Sequence, residues 1–465
     1  MFNFNINDHK YKNIHMIGIG GISMSGIALL LKENEFNVSG SDRELSETSQ
    51  TLIDKGVNVT IGQKKENIKD PDLVIYTDAI SDDNEELIEA RKHDIDVVTR
   101  GVFLGALMKN YKNSIAVSGS HGKSTATSMI SKILMNSSKN PSILLGGELD
   151  EIDGNVHVGD KDFLVTEACE YKANIKYYYP STVIILNIDE DHLDFYKNLG
   201  EIIETFKSYL RNQDSNSKTI LNLNEENNKL VLDAVQGELI TYGQDNEDAD
   251  YNATNIKFDN LGRPSFDLHM KNRDIEHFEL SILGRHNINN ACAAIIATYE
   301  NGVDIETIKK YLKEYKGLER RMEIVGSVDG CNIMTDYGHH PSEIKVTLNA
   351  LAEHTEGRLR CVWQPHTYSR TKALFDDFVE SFDDADEIIV TDIYAAREKF
   401  DPSITSEDVV NKMVETGKNA KYIENFEQAR DYILDTIKKD DLVITTGCGN
   451  PDKLAKMIVE KGQNK

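Results

Sequence analysis

The stretch Ser114–Leu134, SIAVSGSHGKSTATSMISKIL, decides the fold of the central part of this chain. It begins as an apolar strand, turns through Gly119 and Gly122, reaches Lys123 and continues with the apolar periodicity of a helix. Backbone N–H groups at the N-terminus of a helix bind anions, and a lysine at this point extends towards a phosphate. The stretch therefore predicts a phosphate-binding loop.

The spacing of this loop departs from the usual motif, G-x-x-x-x-G-K-[ST]. That motif would need a glycine where Val117 stands, and the chain instead has G-x-x-G-K-S from Gly119 to Ser124. The alternative interpretation is a glycine turn that only places a lysine at the start of a helix.

Length and composition limit the possible functions. The chain has 465 residues, enough for roughly two to four domains. Its formal net charge of −26 repels nucleic acid and anionic membranes, so we expect neither as a partner. The five cysteines are widely spaced with no C-x-x-C pair, which indicates a reducing compartment. Because no signal-peptide pattern or long apolar run is present, we predict a cytoplasmic protein.

The N-terminal stretch, residues 13–34, has a glycine-rich turn between a strand and a helix. The turn is Gly18 to Gly21, and a second strand follows and ends at Asp42. This β-α-β opening resembles a dinucleotide-binding turn, but Ser23 stands where the third glycine of G-x-G-x-x-G would fall. Alternation of further strands and helices predicts a parallel sheet with helices on both faces.

Strands and loops also alternate in the rest of the chain. Two apolar strands, within 162–171 and 181–196, end in acidic residues, where open α/β sheets bind ligands. The alternating segment 240–282, with an Asn-Leu-Gly turn, predicts a small antiparallel patch. We therefore predict a three-domain α/β protein: a Rossmann-like N-terminal domain, a central P-loop ATPase-like domain that contains the patch, and a Rossmann-like C-terminal domain. The predicted boundaries are 1–110, 111–321 and 322–465.

Polar side chains at the ends of strands are candidates for chemistry. Glu167 and His192 follow separate strands, and together with Ser124 they could surround one Mg²⁺ that bridges nucleotide phosphates. Imidazole is an unusual Mg²⁺ ligand, and solvated strand ends are the simpler alternative. The stretches YGHH and QPHTYSR, dense in histidine, arginine and tyrosine, could form an anion site, or they could be a chance surface cluster.

Taken together, these stretches resemble one family, the Mur ligases, over nearly the whole chain. The family uses G-x-x-G-K-[ST] as its phosphate loop, which accounts for the spacing after Gly119. The motifs that carry the resemblance are HMIGIGGISMSG, GSHGKSTAT, EACEY, NIDEDHLD, GRHNINNACAA, GLERRME, DYGHHPSE, QPHTYSRT and DIYAARE.

The resemblance implies an ATP-dependent ligase of peptidoglycan precursor synthesis. DYGHHP and QPH-x-YSR are the most specific motifs, and they imply that L-alanine is joined to the lactyl carboxylate of UDP-N-acetylmuramate through an acyl phosphate. ATP, Mg²⁺ and small-molecule substrates are the expected partners. Two alternatives stay open: a sister ligase that adds a whole tripeptide, and a dinucleotide oxidoreductase with an ATP-binding regulatory module.

The resemblance also implies roles for individual residues. The UDP end of the nucleotide sugar would contact Gly18, Gly20, Gly21, Ser23, Gly26 and Asp42. ATP would contact Gly119, Ser120, His121, Gly122, Lys123, Ser124, Thr125, His286, Asn287, Asn290, Arg321 and Asp336. The amino acid would lie beside His339, His340, His366 and Arg370, and Mg²⁺ would bind Ser124, Glu167 and His192. The residues expected to act in catalysis are Lys123, Glu167, His192, Arg321 and His340.

The chain departs from the family pattern in two motifs. TDAI at 77–80 stands where the family usually has S-S-A-I, and GCGN at 447–450 replaces a more usual G-A-G-D. Some relatives carry a carbamylated lysine that supports a second metal. Lys207 lies near that position, and we do not expect it to be modified.

Overall fold

The computed structural model describes the whole chain apart from residues 1, 9, 150, 151, 153, 194, 260, 261, 271–273, 319, 353, 397, 464 and 465. The described chain divides into two units. The first unit comprises 1–254, 268–276 and 289–313, and the second comprises 255–267, 277–288 and 314–465. Within the described residues, no helix is long and apolar enough to cross a membrane.

The N-terminal part forms a parallel sheet with helical connections. Its strands are β1 Asn13–Ile17, β2 Asn37–Asp42, β3 Asn58–Ile61, β4 Leu73–Tyr76 and β5 Asp96–Thr99. The helices are α1 Ile22–Glu33, α2 Glu47–Asp54, α3 Glu85–Lys92 and α4 Arg100–Met108. Among the described residues the strand order is β3-β2-β1-β4-β5, and every pairing is parallel. The predicted Rossmann-like sheet is confirmed.

The central part is built on a larger, mixed sheet. Its strands are β6 Asn113–Ser118, β7 Pro141–Leu149, β8 Gly154–His157, β9 Asp160–Glu167, β10 Thr182–Ile185, β11 Lys218–Asn222, β12 Glu238–Gln244, β13 Tyr251–Phe258, β14 Pro264–Met270 and β15 Glu276–Glu279. The order over the described residues is β15-β14-β13-β12-β11-β10-β6-β9-β7-β8. The helices are α5 Lys123–Met135, α6 Leu199–Arg211, α7 Glu226–Lys229, α8 His286–Tyr299 and α9 Ile305–Lys313.

The predicted patch at 240–282 is an extension of this sheet. Strand β13 pairs with β12 in parallel, with Tyr251 opposite Tyr242. Antiparallel pairing occurs at the other edge of the sheet, where β7 and β8 form a ribbon that the sequence did not indicate. Two residues of the expected Asn-Leu-Gly turn, 260 and 261, lie outside the described residues.

The C-terminal part has a third sheet. Its strands are β16 Glu323–Val328, β17 Cys331–Asp336, β18 Leu359–Trp363, β19 Glu387–Val390, β20 Ala420–Tyr422 and β21 Leu442–Thr446. The described order is β16-β17-β21-β18-β19-β20, and all pairings are parallel except β16 with β17. The helices are α10 Pro341–Ala352, α11 Tyr368–Ala373, α12 Phe375–Glu380, α13 Ser406–Glu415, α14 Phe426–Thr436 and α15 Pro451–Gln463.

The first two sheets share one hydrophobic cluster. It extends from Met16 in β1 through Leu104 in α4 to Ile175 and on to Ala116 in β6. Because apolar burial is the dominant favourable contribution to folding, this cluster fixes the first sheet against the second. The domain boundaries expected after residues 110 and 321 stay predictions.

Candidate active site

The predicted phosphate loop lies where three parallel strands end. Strand β6 is placed between β9 and β10, and it leads through the loop into α5. Gly119 has φ +134° and Gly122 has φ +82°, backbone conformations that side chains other than glycine rarely adopt. Gly122 is the N-cap of α5 and provides no side-chain cap, so the first-turn N–H groups of the helix lack a capping side chain. This is the geometry that binds phosphate.

Hydrogen bonds fix the loop to the segment that follows β10. Ser120 donates its backbone N–H to the carbonyl of Asn187 at 3.1 Å. His121 donates its N–H to Asn187 Oδ1 at 2.8 Å. The Ser120 hydroxyl accepts from the backbone of Asp189 at 2.8 Å. The loop is therefore held in shape before any phosphate binds.

Lys123 is folded back on its own loop. Its ammonium donates to the carbonyls of Gly119 and Ser120, and it lies 3.3 Å from Glu170 Oε2. Burial lowers the pKa of Lys123, but Glu170, together with Cys169, Asp191 and Glu167, more than offsets that effect, and the pKa is raised. Only 14% of the side chain is exposed, so this loop lysine buries most of its surface.

The predicted metal ligands have different partners. Glu167 ends β9 and accepts the N–H of Gly146 at 2.7 Å. Among the described residues, the acidic and histidine side chains close enough together to hold an ion are Glu170, Asp191 and His192, whose ligand atoms lie within 4.8 Å of one another. The oxygens of Glu167 and Ser124 have the chemistry that Mg²⁺ prefers. The set Ser124, Glu167 and His192 stays a prediction.

The glycine turn of the first sheet is closed by Asp42. The backbone N–H of Gly20 donates to Asp42 Oδ2 at 2.8 Å. Ser23 lies in the first turn of α1, and Arg100 donates to its hydroxyl at 3.3 Å. Gly26 is buried further along α1, where a Cβ would come 3.2 Å from Leu144, which indicates that close packing requires this glycine.

The predicted adenine contacts lie around the start of α8. In the second unit, burial and the charge of Arg321 lower the pKa of His286 to about 4, and Asn287 donates to the carbonyl of Leu283 at 2.7 Å. In the first unit, Asn290 lies against the phosphate loop, because a Cβ on Gly122 would come 2.5 Å from Asn290 Oδ1.

The loop after β17 carries several predicted residues of the second unit. Asp336 is buried and accepts the N–H groups of Met322 at 2.9 Å and Gly338 at 2.8 Å, so both of its oxygens support the local backbone. Glu343 accepts the N–H of His339 at 3.0 Å and lies 3.9 Å from Arg321 Nη1. His340 is 8% exposed, and its Nδ1 lies 2.8 Å from the hydroxyl of Ser342.

His366 is the centre of an aromatic group in the second unit. Its ring centroid lies 6.3 Å from that of His339 and 5.8 Å from that of Tyr394. Burial lowers the pKa of His366 to about 4, with smaller contributions from Arg370 and His339. Burial also lowers the pKa of His339. Both rings are therefore neutral at pH 7, and Arg370 supplies the positive charge beside them.

Family models match most of the chain in three consecutive regions. They are described as the Mur ligase family catalytic domain at 13–112, the Mur ligase middle domain at 117–298, and the Mur ligase glutamate ligase domain at 320–449. A UDP-N-acetylmuramate–L-alanine ligase of Caldanaerobacter subterraneus subsp. tengcongensis is 43% identical over 454 residues, 98% of each chain. The chain belongs to the Mur ligase family.

The chain is also similar to other Mur ligases. The UDP-N-acetylmuramate–L-alanine ligase of Alkaliphilus metalliredigens is 43% identical over 99% of each chain. The crystal structure of the UDP-N-acetylmuramate-alanine ligase of Thermotoga maritima matches with a TM-score of 0.80 and 26% identity, over 97% of this chain and 99% of that one. Mur ligases are ATP-dependent ligases, so the predicted family, fold and enzyme class are confirmed.

The TDAI motif, which departs from the usual Mur ligase pattern, contacts the segment that follows β9. Asp78, from TDAI, accepts from Asn174 Nδ2 at 2.8 Å, and Lys172 donates to the Asp78 carbonyl. The Nη2 atom of Arg100 lies 3.8 Å from Asp78 Oδ2, and the guanidinium donates to the hydroxyl of Tyr178 at 3.4 Å. Asp78 and Arg100 thus hold the segment after β9 against the first sheet. Sequence reasoning missed this role, although the substituted TDAI motif was a usable signal.

The surroundings of Lys207 and of the GCGN motif are local. Lys207 forms an ion pair with Asp233 at 2.8 Å, and its expected lack of modification stays a prediction. Burial raises the pKa of Cys448, from GCGN, to about 12, so this thiol is protonated at pH 7. Three motif residues lie outside the described part of the chain, at positions 194, 319 and 397.

Proposed function

We propose that this Mur ligase joins L-alanine to the lactyl carboxylate of UDP-N-acetylmuramate, with conversion of ATP to ADP and phosphate. The observation that carries the proposal is the phosphate loop from Gly119 to Lys123, which is set at the start of α5 beside acidic strand ends. Relatives that bear the name of this activity, 43% identical over nearly the full chain, support the choice of substrates. The residue roles that the resemblance implies are part of the proposal.

The reaction has two steps. A carboxylate oxygen of the nucleotide sugar attacks the γ-phosphorus of ATP, the bond from that phosphorus to the bridging oxygen breaks, and ADP leaves. The amine of alanine then attacks the acyl carbon, a C–N bond forms, phosphate leaves, and the nitrogen loses a proton. Phosphoryl transfer of this kind depends on positioning and on stabilisation of charge.

The loop supplies much of that stabilisation. The N–H groups of the first turn of α5 would face the phosphates, and the ammonium of Lys123 is protonated at pH 7 because its pKa is raised. A positive charge held beside the loop would stabilise the negative charge that develops on the transferring phosphate.

Mg²⁺ would bind oxygens that lie at this end of the sheet. The hydroxyl of Ser124 and the carboxylate of Glu167 fit a hard cation, and His192 is a weaker candidate. When bound, the ion would neutralise charge on the nucleotide phosphates.

The amino acid would bind in the second unit beside His339, His366 and Arg370. The guanidinium of Arg370 suits a carboxylate, and the neutral rings with lowered pKa can accept a proton from the attacking amine. We further propose that the enzyme acts in the cytoplasm on small molecules in peptidoglycan precursor synthesis, with no nucleic acid or membrane partner.

An ADP-release assay tests the substrates. The protein is mixed with ATP, Mg²⁺ and UDP-N-acetylmuramate, and either L-alanine or a tripeptide that begins with alanine is added. Release that depends on the nucleotide sugar and on L-alanine supports the proposal. Release with the tripeptide alone would indicate the sister ligase, and release without the nucleotide sugar would contradict both.

A further inference from the structure

Glu170 is a buried acid that the proposed reaction does not yet use. Its side chain is 2% exposed, and its two carboxylate oxygens lie 3.4 and 3.3 Å from the ammonium of Lys123. The carbonyl of the same residue accepts the hydroxyl of Tyr196 at 2.5 Å. Backbone and side chain are therefore both fixed at the mouth of the phosphate loop.

The contacts of Lys123 use the ammonium group fully. An ammonium has three N–H donors, and here they meet the carbonyls of Gly119 and Ser120 and the carboxylate of Glu170. The two carbonyls are neutral, so Glu170 is the charged member of this set. A lysine side chain has many rotamers, and it stays in one position only where such contacts hold it.

We propose that Glu170 is a positioning residue for Lys123. It keeps the ammonium at the mouth of the loop before ATP arrives, so that the charge lies beside the phosphates when phosphoryl transfer begins. The inference rests on the proposed ligase function, because it assigns Lys123 to the transferring phosphate.

A competing role for Glu170 follows from its other neighbours. Glu170, Asp191 and His192 have ligand atoms within 4.8 Å of one another, so Glu170 could act as a metal ligand independently of Lys123. The two roles differ in one respect. If Glu170 positions Lys123, substituting Glu170 should no longer change kcat once Lys123 has been removed. If Glu170 is an independent metal ligand, the substitution should lower kcat in either background.

The first test replaces the charge and keeps the shape. Glu170→Gln should lower kcat roughly 10- to 100-fold, the usual effect of losing a hydrogen bond to a charged group, with the KM for the nucleotide sugar unchanged. Glu170→Asp keeps the charge and should retain more activity than Glu170→Gln. Glu86→Gln is the matched control, since Glu86 is also fully buried and hydrogen-bonded but lies in α3, beside Ser41 and Asn67.

The decisive test is a double-mutant cycle with Lys123→Met, measured as ADP release by the full-length protein. If Glu170 acts through Lys123, adding Glu170→Gln to Lys123→Met should change kcat less than twofold. It should also raise the melting temperature of Lys123→Met, because a carboxylate buried without its partner is destabilising.

Two outcomes would overturn the inference. Equal losses from Glu170→Gln in the native and Lys123→Met backgrounds, with a raised Mg²⁺ requirement, would make Glu170 a metal ligand. Unchanged kcat in folded Glu170→Gln would remove any role in turnover. Failure of the proposed function itself is distinguishable, because the unmodified protein would then release no ADP with L-alanine and UDP-N-acetylmuramate.

Discussion

Gly20 donates its backbone N–H to the carboxylate of Asp42, with 2.8 Å between nitrogen and Oδ2. The other oxygen, Oδ1, accepts the N–H of Arg43 at 2.7 Å. In a dinucleotide-binding turn, the acid in this region of the fold is free to bind the ribose. Here it closes the glycine turn, and Ser23 occupies the third-glycine position. Both features count against the oxidoreductase alternative.

The first prediction follows from this closed turn. NADH added to the protein should show no change in its fluorescence, because Ser23 replaces the third glycine, which in a dinucleotide-binding turn allows close packing of the helix on the strand. UDP-N-acetylmuramate in the same buffer should raise the melting temperature. Saturable enhancement of NADH fluorescence that the nucleotide sugar displaces would restore the oxidoreductase interpretation.

Gly119→Ala should abolish most of the activity. Gly119 has φ +134°, and an added Cβ would come 2.9 Å from the carbonyl oxygen of Asn187, a backbone atom that cannot move aside cheaply. The loop would have to shift, and a misplaced loop costs about 10²-fold in rate. Gly154→Ala is the matched control, since Gly154 has φ +139° with no atom within 4 Å of the added Cβ. Comparable kcat values for the two variants would show that the loop position is not critical.

Glu167→Gln tests the predicted metal site. The substitution keeps the acceptor for Gly146 and removes the charge. If Glu167 binds Mg²⁺, half-maximal activity should need at least tenfold more Mg²⁺, and saturating Mg²⁺ should restore part of the turnover. If the variant and the unmodified enzyme have the same Mg²⁺ titration, Glu167 does not bind the ion. The proposed role of His192 as a ligand at the same site would then also be contradicted.

The stability of the protein should fall as the pH drops from 6.5 to 4. The pKa of His366 is about 4 in the folded chain and about 6.5 in an unfolded one. In that interval the unfolded chain binds a proton that the folded chain does not, so the free energy of unfolding decreases. His366→Gln should flatten this dependence in urea denaturation at pH 7 and pH 5. An unchanged slope would mean that other groups cause it.

The phosphate loop could be predicted from sequence because its signals are local. Glycines at fixed positions, a strand before them and a helix after them all lie within Ser114–Leu134. The parallel sheets of the first and third parts follow in the same way from alternating apolar runs.

Contacts between distant segments could not be predicted in this way. Glu170 and Lys123 meet although they are 47 residues apart in the chain, and just after Glu170 the backbone turns at Lys172 and Ala173, with positive φ angles of 51° and 57°. No local pattern indicates that turn. The parallel pairing of β13 with β12 has a similar cause, because strand pairing is set by tertiary partners and not by periodicity.

Trapping of the acyl phosphate with hydroxylamine tests the central claim most directly. The enzyme is incubated with ATP, Mg²⁺, UDP-N-acetylmuramate and hydroxylamine, and the hydroxamate of the nucleotide sugar is measured by mass spectrometry. We predict that the hydroxamate forms only when all components are present and that L-alanine suppresses it, since both nucleophiles attack the same acyl carbon. A tripeptide that begins with alanine should suppress it poorly. ADP production without the nucleotide sugar, together with no hydroxamate when it is added, would contradict the account.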